Sequence, residues 1–393
     1  MGGVLWFLRG TAAALCTTVN VFGMSIVWIY LALTRKKTAA ESPNALQVYL
    51  TYVARTFLWW LTVFEAQPAH CTRTPSRLRD SLLLREFTWI QPAPVTTKEK
   101  SGDGFDTTNL PLDLEEHEKE RKTAAYWFKT PKSLADGPKP PVILHFHGGA
   151  YITLEASDIF MGVTMARMMA KYGEADVLTV SYRLAPGSKY PTQLFEAYSS
   201  WLHLRSLGYD SIWLSGDSAG ANLVLTLWRY LVEHRGAEEA RAVAGLALHS
   251  PWLDMKGHET QAFQEKEKTC VIGARYVRTG LRKLQRGGLP DANDPWLSPT
   301  YWSDKCLSHL PRVFCSNGGA ETLLHEAEQW LARARQQGAS VYHYVAPDHP
   351  HDFSAMFWFY PSIRHLFLAQ KEWMRDASSA PRKVSDGNGG AKT

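Results

Sequence analysis

From about Tyr126 onward, short β-rich runs alternate with longer helical patterns, and no other feature of the chain limits its fold so strongly. The runs are PVILHF at 141–146, VLTVSY at 177–182 and SIWLS at 211–215, followed by VAGLALHS, RVFCS and SVYHYV. Helical patterns lie near 158–172, 192–207, 219–234, 323–337 and 361–376. A parallel strand neighbour needs a crossover connection, and a helix is the usual one, so this alternation predicts an α/β domain with a mostly parallel sheet wrapped by helices. Residues 252–309 break the rhythm with aromatic and polar sequence too long for an ordinary connection, and read as an insertion over the sheet.

The N-terminal part obeys a different pattern. Residues 11–34, TAAALCTTVNVFGMSIVWIYLALT, carry no charge and are followed at once by Arg35, Lys36 and Lys37. As a helix rising about 1.5 Å per residue they reach across a hydrocarbon core of about 30 Å. A cleaved signal peptide carries its basic cluster ahead of the apolar stretch, whereas only Arg9 precedes this one, so residues 1–40 are expected to form a single-pass membrane anchor. A buried or interfacial helix is the alternative, because Asn20 and several threonines dilute the stretch. The basic residues after the span favour a cytosolic position for the rest of the chain. Residues 45–65, with Arg55 among Phe57, Trp59, Trp60 and Phe64, read as an amphipathic helix that either covers a pocket or lies in the membrane interface. Residues 92–122 read as a long loop, so that 41–124 form cap helices and loop, 125–376 the α/β domain, and 377–393 a disordered tail of Ser, Gly, Pro and charge.

Composition closes off other classes. The net charge of +5 comes from 43 basic and 38 acidic residues spread without dense clusters, which excludes a phosphate-backbone binder, so no nucleic-acid partner is expected. Five scattered cysteines, Cys16, Cys71, Cys270, Cys306 and Cys315, form no CxxC pair; no disulfide framework or metal site follows, and each reads as a small buried hydrophobe.

The run SIWLS leads directly into Gly216, Asp217, Ser218, Ala219 and Gly220, and then into the helical pattern ANLVLTLWRYL. This is GxSxG in the setting its chemistry requires. A serine at the tip of a sharp strand-to-helix turn exposes its hydroxyl above the sheet, and flanking glycines let neighbouring backbone pass without a Cβ clash. The helix that starts there turns unpaired N–H groups toward developing negative charge. Earlier in the chain, PVILHF ends in His147, Gly148, Gly149 and Ala150. The N–H groups of Gly148 and Gly149, with that of Ala219, are the expected oxyanion donors, and loss of one such donor costs about 2.7 to 4 kcal/mol. His147 is expected to buttress the loop and His145 to pack within the strand.

Taken together, HGGA at 147, SYRLAP at 181, GDSAG at 216 and HDF at 351 resemble the hormonesensitive-lipase-like branch of α/β hydrolases, which includes arylacetamide deacetylases and fungal steryl acetyl hydrolases. The likeness spans roughly residues 125–370. It implies an α/β-hydrolase fold and a carboxylesterase whose cap is built from the N-terminal helices and the long insertion. It fixes neither the anchor nor the substrate; the expected location is a single-pass position in the endoplasmic-reticulum membrane, and relatives with lumenal catalytic domains oppose the orientation favoured by the basic residues.

α/β hydrolases order their triad as nucleophile, acid and histidine, so the remaining members should follow Ser218 on late loops. RVFCS runs into Asn317, Gly318, Gly319, Ala320 and Glu321, which places Glu321 in the acid's loop, where the family more often has Asp. Glu326, a turn further on, reads as a surface residue. SVYHYV leads to two competing histidines, His349 and His351; matching HDF to the family's pattern selects His351, leaves His349 to cap or line the loop, and treats His343 as structural. In such a triad His351 takes the Ser218 proton, then protonates the leaving alcohol, and water repeats the cycle on the acyl-enzyme, with no metal or organic cofactor. Aromatics in the expected lid regions suit a short-acyl ester, an acetate foremost, of a lipophilic alcohol such as a sterol or terpenoid. Two other readings share the scaffold: an acyltransferase using the same triad, and a non-catalytic small-molecule binding protein.

Overall fold

Eight strands form one sheet in the order β1-β2-β4-β3-β5-β6-β7-β8. The computed structural model describes residues 2–35, 39, 42–65, 85–94, 119–130, 139–158, 162–188, 190–286 and 292–379. Its strands are β1 (Glu86–Ile90), β2 (Thr123–Phe128), β3 (Val142–Phe146), β4 (Asp176–Ser181), β5 (Ile212–Asp217), β6 (Val243–His249), β7 (Val313–Gly318) and β8 (Val341–Ala346). From β4 across to β8 every pairing is parallel, while β1 and β2 add an antiparallel margin. Residues of β3, β4, β5 and β7 are buried along their whole length, as expected for a sheet covered on both faces, and edge strand β8 is half exposed.

All six runs read from the sequence are strands, with ends shifted by one or two residues. The margin strand β1 went unread, and β2 begins two residues before the expected onset of the domain at residue 125. Most of the expected loop 92–122 and of the tail 377–393 lies outside the described residues, as does Cys71.

The helices are α1 (Gly2–Thr34), α2 (Ala45–Val63), α3 (Gly162–Tyr172), α4 (Thr192–Ser206), α5 (Ala219–Tyr230), α6 (Ala237–Ala242), α7 (Gln261–Lys266), α8 (Ala274–Arg286), α9 (Asp304–Ser308), α10 (Leu324–Gln336) and α11 (Tyr360–Ser379). Within α1, Phe7–Thr34 is long and apolar enough to cross a membrane. One stripe of it, Ala13, Thr17, Trp28 and Ala32, is buried, and Trp28 meets Tyr49 and Tyr52 of α2 with ring centroids 6.2 and 6.3 Å apart. The opposite side presents Phe22 and Ile26, each 83% exposed. Asn44 and Gln47 start α2 with reciprocal side-chain-to-backbone hydrogen bonds of 3.0 and 2.8 Å.

The insertion forms a roof. Arg55 of α2 donates to the carbonyls of Glu267 and Cys270, joining α2 to the insertion. Lys266 Nζ and Thr269 Oγ1 reach the carbonyls of Gly319 and Ala320, at 3.0 and 3.2 Å. Tyr276 of α8 hydrogen-bonds Thr153 at 2.5 Å, and a Cβ on Gly280 would lie 2.9 Å from Ala150. The roof therefore touches both the loop after β7 and the loop after β3. Trp252, Trp296 and Trp302 are buried in it.

Candidate active site

Loops leaving the carboxyl ends of β3, β5, β6, β7 and β8 converge on one place, which is where ligands sit in open parallel sheets. Ser218 stands between β5 and α5 at φ 52° and ψ −115°, a left-handed backbone that a non-glycine residue holds only under external restraint. That restraint comes from the end of β6. The N–H of Ser218 donates to the His249 carbonyl at 2.9 Å, and its carbonyl accepts from Trp252 N–H at 3.2 Å. The flanking glycines are required by contact: a Cβ on Gly220 would lie 2.0 Å from the Phe146 carbonyl oxygen, and one on Gly216 2.4 Å from Gly220 itself.

His351 lies in the loop after β8, buried, with Nε2 3.0 Å from Ser218 Oγ. Glu321 faces the other ring nitrogen, Oε2 standing 4.0 Å from Nδ1, longer than a hydrogen bond. The Glu321 carboxylate is wholly buried and held by three donors: Ser250 Oγ at 2.6 Å, Gly318 N–H at 2.9 Å, and the Asn317 side-chain amide. Burial pushes its carboxyl upward in pKa, and His351 with these donors works against that shift. The structure thus brings Ser218, His351 and Glu321 together in the expected order. Tight clustering of this kind commonly shortens further when substrate binds.

The loop after β3 differs from expectation at Gly148. Its N–H donates to Asp217 Oδ2 at 2.9 Å, so this amide is committed to bracing the loop against the serine's own neighbour. Gly149, Ala150 and Tyr151 follow at φ 108°, 52° and 61°, three successive left-handed residues. Strain concentrated beside the serine is the mark of a loop shaped for a task. Of the three expected donors, this leaves Gly149 and Ala219, the latter at the first turn of α5, with Ala150 next in the chain after Gly149. Asp217 is buried and its other oxygen lies 3.4 Å from His145 Nε2. Burial pulls the Asp217 carboxyl up, but the hydrogen bond and charge of His145 outweigh it and the net shift is downward. His145 is therefore more than packing.

His147 buttresses the loop: its ring stacks on Tyr182 with centroids 4.3 Å apart, and Nδ1 donates to the Gly148 carbonyl at 2.7 Å. Tyr182 belongs to the SYRLAP segment, whose Arg183 is held by Glu196 through two contacts of 2.6 Å. His349 is occupied elsewhere, on the Pro347 carbonyl and Ser362 Oγ. Glu326 is not a surface residue: it accepts the Leu253 N–H at 2.9 Å and fixes the start of the insertion. Sequence reading also passed over Asn222, which accepts from Tyr151 Oη and donates to the carbonyls of Trp252 and Leu297, tying oxyanion-side loop and roof to α5.

Asp352 was likewise passed over. It is buried at φ 51°, and its Oδ2 stands 3.1 Å from His351 Nε2, the nitrogen that faces Ser218. Burial lowers the His351 pKa, but Asp352 and then Glu321 overrule it and the net shift is upward. Burial raises Asp352 as well, against the pull of His351.

The fold and this site together define a serine ester hydrolase. Residues 143–355 match the family described as alpha/beta hydrolase fold, and the chain belongs to it. It is 29% identical over 253 residues to Esterase LipU of Mycobacterium tuberculosis, covering 62% of this chain and 80% of that protein. An esterase of Acinetobacter venetianus is 27% identical over 205 residues, covering 51% of this chain and 63% of that one. The crystal structure of EstE5 soaked with p-nitrophenyl butyrate superposes with a TM-score of 0.61 at 20% identity, covering 85% of this chain and 98% of that one, a likeness of fold.

Proposed function

We propose that this chain is a membrane-anchored carboxylesterase that hydrolyses short-acyl esters, acetates foremost, of lipophilic alcohols such as sterols or terpenoids. Ser218 is the nucleophile, His351 the base and then the acid, and Glu321 the carboxylate that orients the imidazole. The observation that carries this reading is the 3.0 Å between Ser218 Oγ and His351 Nε2, direct proton-exchange reach in a buried site.

As Ser218 Oγ attacks the ester carbonyl, its proton passes to Nε2 and negative charge builds on the carbonyl oxygen. The amides of Ala219, Gly149 and Ala150 stabilise that charge from fixed positions, without reorganisation at the moment of reaction. The imidazolium then protonates the leaving alcohol, and water cleaves the acyl-serine by the same route. An apolar substrate is supported by the aromatic roof and by α1 and α2, whose outward faces expose Phe22, Ile26, Phe57 and Trp59.

The test is a substrate series on purified full-length protein beside Ser218→Ala. Acetates of lipophilic alcohols are expected to be hydrolysed with the highest kcat/KM, and Ser218→Ala to be inert. Preference for long-chain triglycerides or soluble charged esters would overturn the substrate reading.

A further inference from the structure

The imidazole nitrogen that handles every proton in this cycle has two neighbours. Nε2 of His351 lies 3.0 Å from Ser218 Oγ and 3.1 Å from Asp352 Oδ2. Once Ser218 is acylated, the attacking molecule must approach Nε2 to give up its proton, and Asp352 stands at the flank of that approach. The Asp352 backbone N–H donates to Ser250 Oγ at 3.1 Å, and Ser250 in turn donates to Glu321, so the carboxylate is anchored to the acid's own network. Its second oxygen, Oδ1, is buried and has no hydrogen-bond partner among the described residues. The carboxylate whose Oδ2 stands 3.1 Å from Nε2 can accept on this buried Oδ1 a hydrogen bond from a donor that enters beside it.

We propose that Asp352 is the second acceptor for the deacylating water and thereby selects water over alcohols as the acyl acceptor. The inference rests on the roles given above to Ser218 and His351. Water carries two protons. One goes to His351 Nε2 as the oxygen attacks the acyl carbon; the other stays on oxygen and is held by Asp352 Oδ1. The tetrahedral intermediate collapses, the bond from carbon to Ser218 Oγ breaks, Nε2 returns its proton to Oγ, and the carboxylic acid departs. An alcohol has one proton to give. With it on Nε2, the alcohol has none for Oδ1 and turns its alkyl group toward a buried carboxylate, a cost water avoids.

The experiment is partitioning of the acyl-enzyme formed from p-nitrophenyl acetate between water and added ethanol, scored as ethyl acetate against acetate. This ratio is fixed after acylation and is independent of the step that limits turnover. In Asp352→Gly, whose backbone suits the left-handed position, the ratio is expected to rise roughly tenfold over wild type, the worth of one charge-assisted hydrogen bond. Asp352→Asn, keeping one acceptor oxygen, should fall between the two. Single-turnover release of p-nitrophenol, read on the alkaline plateau, should change much less than the ratio. An unchanged ratio in both variants overturns the proposal, as does a fall in p-nitrophenol release with no change in ratio, which marks a role on the imidazole alone. Failure of wild type to acylate at Ser218 would instead break the underlying assignment.

Discussion

Ser42 donates from Oγ to Asp348 Oδ2 at 2.6 Å, joining the segment just after the apolar helix to the loop that carries His351. Arg35 reinforces the link through the Asp348 carbonyl at 2.9 Å, and Asp348 holds φ 57°. The segment that follows α1 thus bears on the loop that holds the imidazole. Ser42→Ala is expected to lower kcat about five- to tenfold with little change in KM, and Ser42→Thr to restore it. Steady-state kinetics in detergent micelles checks this; an unaltered kcat in Ser42→Ala contradicts it.

Glu321 is expected to matter far more. Glu321→Gln keeps the shape while removing the charge that orients and stabilises the imidazolium, and kcat should fall by about 10⁴-fold. A loss under tenfold would mean that another carboxylate, Asp352 foremost, supplies that charge.

The Gly148–Asp217 contact predicts a different signature. Asp217→Ala removes the acceptor of the Gly148 N–H, loosens the strained turn at 149–151, and is expected to reduce kcat/KM by about 10²-fold. Asp217→Asn retains an acceptor and should stay within about tenfold of wild type. Parallel kinetics on the two variants separates bracing from charge.

The pH dependence follows from the upward shift of His351. A general base acts only when unprotonated, so a raised pKa leaves a small active fraction near neutrality, and kcat/KM should climb as pH rises into the alkaline range. Asp352→Asn removes the main upward influence, and the rising limb should move to lower pH. A pH–rate profile unchanged by the substitution contradicts this.

Gly220→Ala tests the turn sterically. The added methyl would stand 2.0 Å from the Phe146 carbonyl oxygen, so α5 must move away from β3. A stability loss of about 1–3 kcal/mol is expected, with Tm falling by roughly 2–4 °C for each kcal/mol. Calorimetry measures the first effect, and activity loss reports displacement of Ala219.

Much of the sheet was legible because its strands are buried on both faces and read as continuous apolar runs between helices. The margin strands β1 and β2 escaped: EFTWI is short, TAAYWF has two alanines among its first three residues, and neither adjoins a crossover helix that would advertise it. The meeting of Ser218, Glu321 and His351 was readable because the expected chemistry ties each to a loop after a strand. Which amide of His147–Ala150 stays available was not, because it turns on a side chain, Asp217, that meets Gly148 only in the folded chain. Asn222, Ser250 and Asp352 were invisible for the same reason: a buried polar residue acquires its role from partners remote in sequence. Glu326 looked like an exposed helix carboxylate until the insertion returned across it.

The most direct measurement maps the adduct of a fluorophosphonate probe by peptide mass spectrometry in wild type and His351→Ala. The adduct is expected on Ser218 alone, forming quickly in wild type and at least about 10³-fold more slowly without the imidazole. A folded, soluble preparation that stays unlabelled at Ser218, or that labels equally fast in His351→Ala, would contradict the joint action of these two side chains.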